Sequence, residues 1–471
     1  MLPSKMTIRA VRKSLSRLAR RPGLAAVLSF LAAIMLGAAI LCTPLCSRVD
    51  PADGQRHWTH PVNALFTATS AVCVTGLIVK DTGGDWSHFG QVVILVLIQA
   101  GGLGIMTIYA FMVTMTRRRL GMGLERMLGG ELESMEAVNT GRMIRFICLF
   151  ALVAEAMGAV ALFVSWRSHF PGFWQCAYHS IFHSISAFCN AGFSLNSQSL
   201  MAYRDSLPVN LVVWTLIVFG GLGFLVVKDL LDYAGWWLFR RRGRRPKLEV
   251  HTALVLAVTA FLLAVGFFVF LLVERHHSLD GMALKERLLA AGFHSVTPRT
   301  AGFNTVNMNA LAPSTALLVM ALMFVGGSPG STAGGVKTTT LGVMLASILA
   351  TVHGRDKAEL FHHSVRQETV HRVASIILLS VCALLAGTFL LLMSERSNHF
   401  SFLRVAFEAS SAYGTVGLSL GITAKLTVLG RLIISALMFI GRLGPVTLMM
   451  TAMAGTALVP YEYPEARVIV G

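Results

Sequence analysis

Four short segments carry the residues with the most specific chemistry. They read FTATSAVCVTGL (Phe66–Leu77), FHSISAFCNAGF (Phe182–Phe193), FHSVTPRTAGF (Phe293–Phe303) and FEASSAYGTVGL (Phe407–Leu418). Each runs from a phenylalanine through small and hydroxyl residues to a glycine followed by a large apolar residue. The third is one residue shorter between Phe and Gly. The glycines, Gly76, Gly192, Gly302 and Gly417, recur every 110 to 116 residues. One such glycine would be an ordinary tight turn; four equivalent ones express a shared geometric demand. Glycine and small hydroxyl residues leave backbone carbonyls free to face a common axis, and a carbonyl ring replaces the hydration shell of a cation without a fixed charge. The segments hold almost no carboxylate, which suits a monovalent ion better than calcium or magnesium. Glu408 falls early in its segment, on the short helix expected ahead of each loop. The negative C-terminal dipole end of that helix would point inward.

A membrane must position these loops. Hydrophobic residues make up 55% of the 471 and charged residues only 13%, against about 25% charged in soluble domains. Mean hydropathy is +0.66. The motif segments are too short to span a bilayer, and non-helical backbone survives at that depth only inside protein or beside water. A second glycine motif follows each first one within the next apolar run: Gly101–Gly104 (GGLG), Gly220–Gly223 (GGLG), Gly326–Gly330 (GGSPG) and Gly441–Gly444 (GRLG). Small residues of this kind let membrane helices approach closely. Spanning helices are expected near 24–44, 90–115, 143–165, 208–235, 250–273, 314–350, 372–393 and 427–454. The fold class is therefore an all-α polytopic membrane protein with four helix–pore loop–helix repeats. The repeats occupy 24–116, 143–235, 250–351 and 372–454. A basic N-terminus, 1–23, precedes them and a tail, 455–471, follows.

The net charge of +17 does not point to nucleic acid. Its arginines and lysines cluster between apolar runs, at Arg117–Arg119, Arg240–Arg245, Arg355 and Lys357, and before the first span. That pattern places the loops 116–142, 236–249 and 351–371 and both termini in the cytoplasm. The first apolar run continues from Leu24 to about Cys42, long enough to span, so a cleaved signal is not expected. The seven cysteines lack metal-ligand company and read as small apolar residues.

TSAVCVTGL, CNAGF, TPRTAGFNT and SAYGTVGLS resemble the four pore loops of the Trk/Ktr/HKT superfamily of cation transporters, over nearly the whole chain. One span before Phe66 resembles the Ktr branch, as does the closing YEYPEARVIVG. The resemblance implies channel-like potassium uptake across a bacterial cytoplasmic (inner) membrane. It also implies a pseudo-tetrameric pore, a homodimer, and a cytoplasmic nucleotide-binding regulatory ring subunit that carries the ATP or ADP. The chain itself would hold no cofactor, and potassium is its substrate. The implied selectivity filter comprises Cys73, Val74, Thr75 and Gly76; Cys189, Asn190, Ala191 and Gly192; Arg299, Thr300, Ala301 and Gly302; and Gly414, Thr415, Val416 and Gly417. The four glycines would offer carbonyls to potassium. Sodium-selective relatives often carry serine at the first of them. Arg299 reads as a brace behind the filter, since a guanidinium on the ion path would repel cations.

The third repeat extends its second motif into GGSPGSTAGGVKTTT, Gly326–Thr340. Five glycines and Pro329 cannot hold a regular helix, so the span should break there into a flexible segment. By resemblance this is an intramembrane gate using Gly326, Gly327, Ser328, Gly330, Gly334, Gly335 and Lys337, with Arg442 beside it. Intramembrane charges such as Arg442 usually face protein or water. Glu155, mid-span in the second repeat, is read as lining a helix contact or pairing with a basic residue, and the sequence does not decide which.

A secondary transporter of another small solute is the alternative, although such proteins usually show two inverted halves. An enzyme is not expected, because His276–His277 and His362–His363 are adjacent pairs without helical ligand spacing. The chain has no GxGxxG or Walker-type phosphate cradle, so any nucleotide control requires a second polypeptide. Lipid is a partner; nucleic acid is not. Sodium coupling is left open by the residues.

Overall fold

In a computed structural model, residues 22–50, 54–128, 140–238 and 248–444 are described. Four units follow one another, each a long helix, a short helix and a third helix. The first unit holds α1 (Pro22–Leu41), α2 (Pro61–Val72) and α3 (His88–Leu128). The second holds α4 (Thr140–Trp166), α5 (Phe173–Phe188), α6 (Leu207–Leu222) and α7 (Phe224–Leu238). The third holds α8 (Val250–Val273), α9 (Leu284–Val296), α10 (Pro313–Phe324) and α11 (Thr338–Val352). A two-stranded hairpin, β1 (Glu359–Leu360) and β2 (His363–Ser364), leads to the fourth unit: α12 (Gln367–Ser394), α13 (Phe402–Gly414) and α14 (Val428–Leu443).

The short helices have 12 to 16 residues. At about 1.5 Å per residue they reach roughly 18 to 24 Å, less than the ~30 Å hydrocarbon core. They form the inner layer. Every residue of α13 from Val405 to Gly414 is buried. The long helices form the outer layer: only 22% of the apolar stretch of α12 is buried, so most of it lies on the outside of the fold. Buried carboxylates tie the first helix to the third in two units. Glu274, at the end of α8, accepts from the Ala312 N–H at 2.9 Å where α10 begins. Glu395, at the end of α12, accepts from the Thr427 N–H (3.0 Å) and hydroxyl (2.6 Å) where α14 begins. Both satisfy donors that a helix start leaves unpaired.

The expected eight spans are modified in two places. Among the described residues five helices are long and apolar enough to cross a membrane. The run expected at 208–235 is not one helix: α6 and α7 meet at Gly223 with a bend of 107°. The run expected at 314–350 is two helices, α10 and α11, separated by the glycine-rich segment. The N-terminus through residue 21, parts of the basic loops (129–139 and 239–247), and everything from residue 445 lie outside the described residues.

The second glycine motif works by close approach. A Cβ at Gly101, Gly220 or Gly441 would run into the carbonyl oxygen of Val72, Phe188 or Tyr413 respectively, each in the last turn of its unit's short helix. Only hydrogen fits between the third helix and that turn. Gly441→Ala is therefore expected to lower the thermal midpoint in detergent, at a cost of about 1–3 kcal/mol for the forced displacement. Gly235→Ala, on α7 with nothing within 4 Å of an added Cβ, should leave the midpoint unchanged or slightly raised. Thermal unfolding of the two purified variants, followed side by side, checks this.

Candidate functional site

The four short helices end by one local mechanism. Cys73 and Cys189 cap α2 and α5 in right-handed conformation, Gly414 is the last residue of α13, and Arg299 lies in the turn that follows the end of α9 at Val296. The next residue turns left-handed in every unit: Val74 (φ 56°), Asn190 (59°), Thr300 (70°) and Thr415 (51°). Such values are costly for a residue with a side chain, and a backbone bond closes over each. The N–H groups of Thr75, Ala191 and Val416 donate to the carbonyls of Ser70 (2.8 Å), Ser186 (2.7 Å) and Ser411 (2.8 Å), five residues back. Ala301 donates to Thr297, four residues back, at 3.0 Å. The third motif's missing residue is absorbed in that tighter turn, so the four glycines stay in register.

Those glycines also have positive φ, from 69° to 93°, and they close a ring. A Cβ on Gly76 would abut the Ala191 carbonyl oxygen, one on Gly192 that of Ala301, one on Gly302 that of Val416, and one on Gly417 that of Thr75. Each unit thus leans its glycine against the preceding carbonyl of the next, in the order one, two, three, four and back to one. The hydroxyls noted in the motifs hold the strands from behind. Ser70 and Ser411 accept from the Gly76 and Gly417 N–H groups, both at 3.0 Å. Ser186 and Thr297 donate to the carbonyls of Phe193 (2.7 Å) and Phe303 (2.6 Å).

The four glycines floor a cavity of about 410 Å³, whose wall includes Ser194, Asn304 and Ser419. Two buried side chains on the short helices steady that wall. His183 lies 3.0 Å from the Ser194 hydroxyl, and Glu408 accepts from Ser419 (2.8 Å) and Thr423. Motif reading placed Glu408 on its helix but did not single out His183; its position directly after Phe182, matching Glu408 after Phe407, was the available signal. Arg299 points away from the ring and donates to the Thr259 carbonyl (3.4 Å) and hydroxyl (3.2 Å) on α8. Its side chain therefore lies outside the carbonyl ring.

Residues 325–337 cross beneath the ring. The segment is held by hydrogen bonds rather than hanging loose. Gly326 N–H donates to Val336 (2.9 Å), and the Gly327 carbonyl accepts from Thr338 (3.1 Å). Its docking partner is the break between α6 and α7. Ser328 and Thr332 N–H groups donate to the free carbonyls of Gly221 (2.9 Å) and Gly220 (3.0 Å), and the Gly330 carbonyl accepts from Phe224 N–H (3.2 Å). The Thr332 hydroxyl lies 3.2 Å from the Asn190 amide. A Cβ on Gly334 would strike the Thr415 hydroxyl, one on Gly326 would lie 3.2 Å from Thr300, and one on Gly335 would lie 3.5 Å from the Gly414 carbonyl. The segment thus touches the left-handed residue of three units.

Two cations secure it. Lys337 Nζ donates to the segment's own carbonyls, Ala333 (2.7 Å) and Gly334 (3.4 Å). Arg442, 3% exposed, donates to the Thr332 carbonyl and, at 2.9 Å, to the Gly101 carbonyl of α3. It therefore links the segment to the first unit. Among the described residues no carboxylate lies within ion-pair distance of Arg442.

Comparison with known proteins agrees with this architecture. Residues 52–456 match the profile of TrkH, described as a cation transport protein. The chain is 38% identical to the potassium/sodium uptake protein NtpJ of Enterococcus hirae, over 94% of this chain and 95% of that protein. It is 37% identical to the Ktr system potassium uptake protein B of Vibrio alginolyticus, over 94% of each. The crystal structure of the potassium transporter TrkH from Vibrio parahaemolyticus superposes with a TM-score of 0.67 at 18% identity, covering 91% of this chain and 84% of that one. These relatives are ion transporters, not enzymes. An integral membrane protein, this chain belongs to the TrkH cation transport protein family.

Proposed function

We propose that this chain conducts potassium through the ring formed by Thr75, Ala191, Ala301, Val416 and the glycines that follow them. The observation that carries the reading is the closed cycle of glycine-on-carbonyl contacts: carbonyls so packed can replace a hydration shell. Similarity to potassium uptake proteins in two bacteria supports the ion's identity. In this reading residues 326–340 close the inner end of the path, and Arg442 holds them there while its charge repels cations. The protein sits in a bacterial cytoplasmic membrane as a homodimer with both termini inside. A nucleotide-binding ring subunit of the Ktr type acts on it from that side. Helix α11 runs directly from the gate segment to Val352, so one rigid element links the gate to the cytoplasmic surface.

Gly76→Ser should lower potassium affinity and relax preference over sodium. A side chain at φ 88° is strained and displaces the Ala191 carbonyl. Losing one well-placed ligand of about 1–3 kcal/mol corresponds to roughly 5- to 150-fold. Rubidium uptake into proteoliposomes, competed with potassium or sodium, reads both quantities. Equal competition by the two ions in the unmodified protein would sink the filter reading. Uptake of a labelled organic solute in place of rubidium would favour a solute transporter.

Removing part of Gly326–Lys337 should raise flux and leave ion preference unchanged, because the ring lies elsewhere. A folded deletion variant with unchanged or lower flux would make the segment a packing element. Nucleotide control should need the second protein. Purified chain alone is expected to ignore ATP and ADP and to respond once the ring subunit is added. A response by the chain alone would overturn that assignment.

A further inference from the structure

Glu155 lies in the middle of α4, 5% exposed. Among the described residues no basic side chain lies within ion-pair distance. An intramembrane carboxylate is kept only against a desolvation cost, which marks it for a function. Its partners run in one direction. Gln99 Nε2, on α3, donates to both carboxylate oxygens, at 2.9 and 3.0 Å. That fixes the Gln99 amide with its oxygen facing the other way, where it accepts from Cys189 Sγ at 3.4 Å, and the same thiol lies 3.9 Å from Glu155 Oε1 itself. The Glu155 backbone carbonyl accepts from Ser184 on α5 at 2.6 Å. Cys189 closes the last turn of α5 and directly precedes Asn190 and Ala191, the second unit's contribution to the ring. The thiol is therefore held at the one point where the strand leaves its helix.

The first unit also has a cysteine at this place, Cys73, whereas the third and fourth units differ. At the equivalent place the third unit uses Arg299 on Thr259, and Gly414 of the fourth unit has no side chain. Gln99 also sits two residues before Gly101, whose carbonyl takes the Arg442 bond. One turn of α3 thus carries both the filter brace and the anchor of the gate segment.

From this we infer that Glu155 is a positioning residue for ion selection: acting through Gln99 and through its own contact with the thiol, it fixes Cys189 and so the placing of the Ala191 carbonyl in the ring. The inference rests on the filter reading above. It differs from simple packing because the side chain matters by its acceptor pattern and not by its volume.

Glu155→Gln keeps the volume but presents one acceptor and one donor to the Gln99 amide. One hydrogen-bond equivalent is lost, and the preference for rubidium over sodium should fall about 2- to 10-fold while the thermal midpoint and membrane yield stay near those of the unmodified protein. Cys189→Ala should give a fall of similar size, Cys189→Ser should retain most of the preference, and the Glu155→Gln/Cys189→Ala double variant should be no worse than the worse single one. Unchanged preference in Glu155→Gln, or multiplicative effects in the double variant, overturns the brace. If Glu155→Gln does not accumulate, the two Cys189 variants decide: equal effects of Ala and Ser also overturn it. Absence of any preference in the unmodified protein is a separate failure, that of the filter reading. The brace is then scored on the apparent KM for rubidium by the same non-additivity.

Discussion

Everything in this molecule depends on a contact made four times: a glycine of one unit resting against a carbonyl of the next. A ring of carbonyls repels itself and is built of backbone that would otherwise need water. It persists because each strand is over-determined. A left-handed residue closes the helix, a backbone bond five or four residues long locks the turn, and a hydroxyl from the same helix holds the strand from behind. The third unit shows how strict the requirement is. It lost a residue from the motif, and the turn shortened while the glycine kept its place.

The inner side is organised by a complementary break. At Gly223, φ 86° and ψ 145° is backbone that only glycine adopts readily, and it frees the carbonyls of Gly220 and Gly221. A helix end exposing such groups in the middle of a membrane would be very unfavourable on its own. The segment between α10 and α11 has the opposite need, since its N–H groups lack helical partners. Each break satisfies the other. Neither unit two nor unit three is complete alone, and Arg442 of unit four clips the pair to unit one.

The units were legible in the sequence because glycine at a fixed place after a phenylalanine has a narrow set of physical causes. The break in the third unit was legible too, from Pro329 and its neighbouring glycines. The break in the second was not. The string GGLG occurs at Gly101–Gly104 inside the unbroken α3 and at Gly220–Gly223 where the helix turns through 107°. The difference comes from a segment more than a hundred residues away. Glu155 was recognisable as unusual but not placeable, because its partner Gln99 lies 56 positions earlier on another helix. The reach of Arg442 to Thr332 and Gly101 was likewise a matter of tertiary contact, although its burial followed from its place in an apolar run.

The residues flanking the ring differ from unit to unit: Val74, Asn190, Thr300 and Thr415 at the turn, and Ile78, Ser194, Asn304 and Ser419 at the mouth. In a pore assembled from four identical subunits, any change to the filter arrives in four copies at once, and most are too drastic to keep. Here a change arrives in a single copy. In the reading proposed above, ion preference can drift in quarter-steps, with three quadrants holding the geometry while the fourth is tried out. With four unlike quadrants on one chain, a substitution at the ring alters one quadrant and leaves the other three as they were.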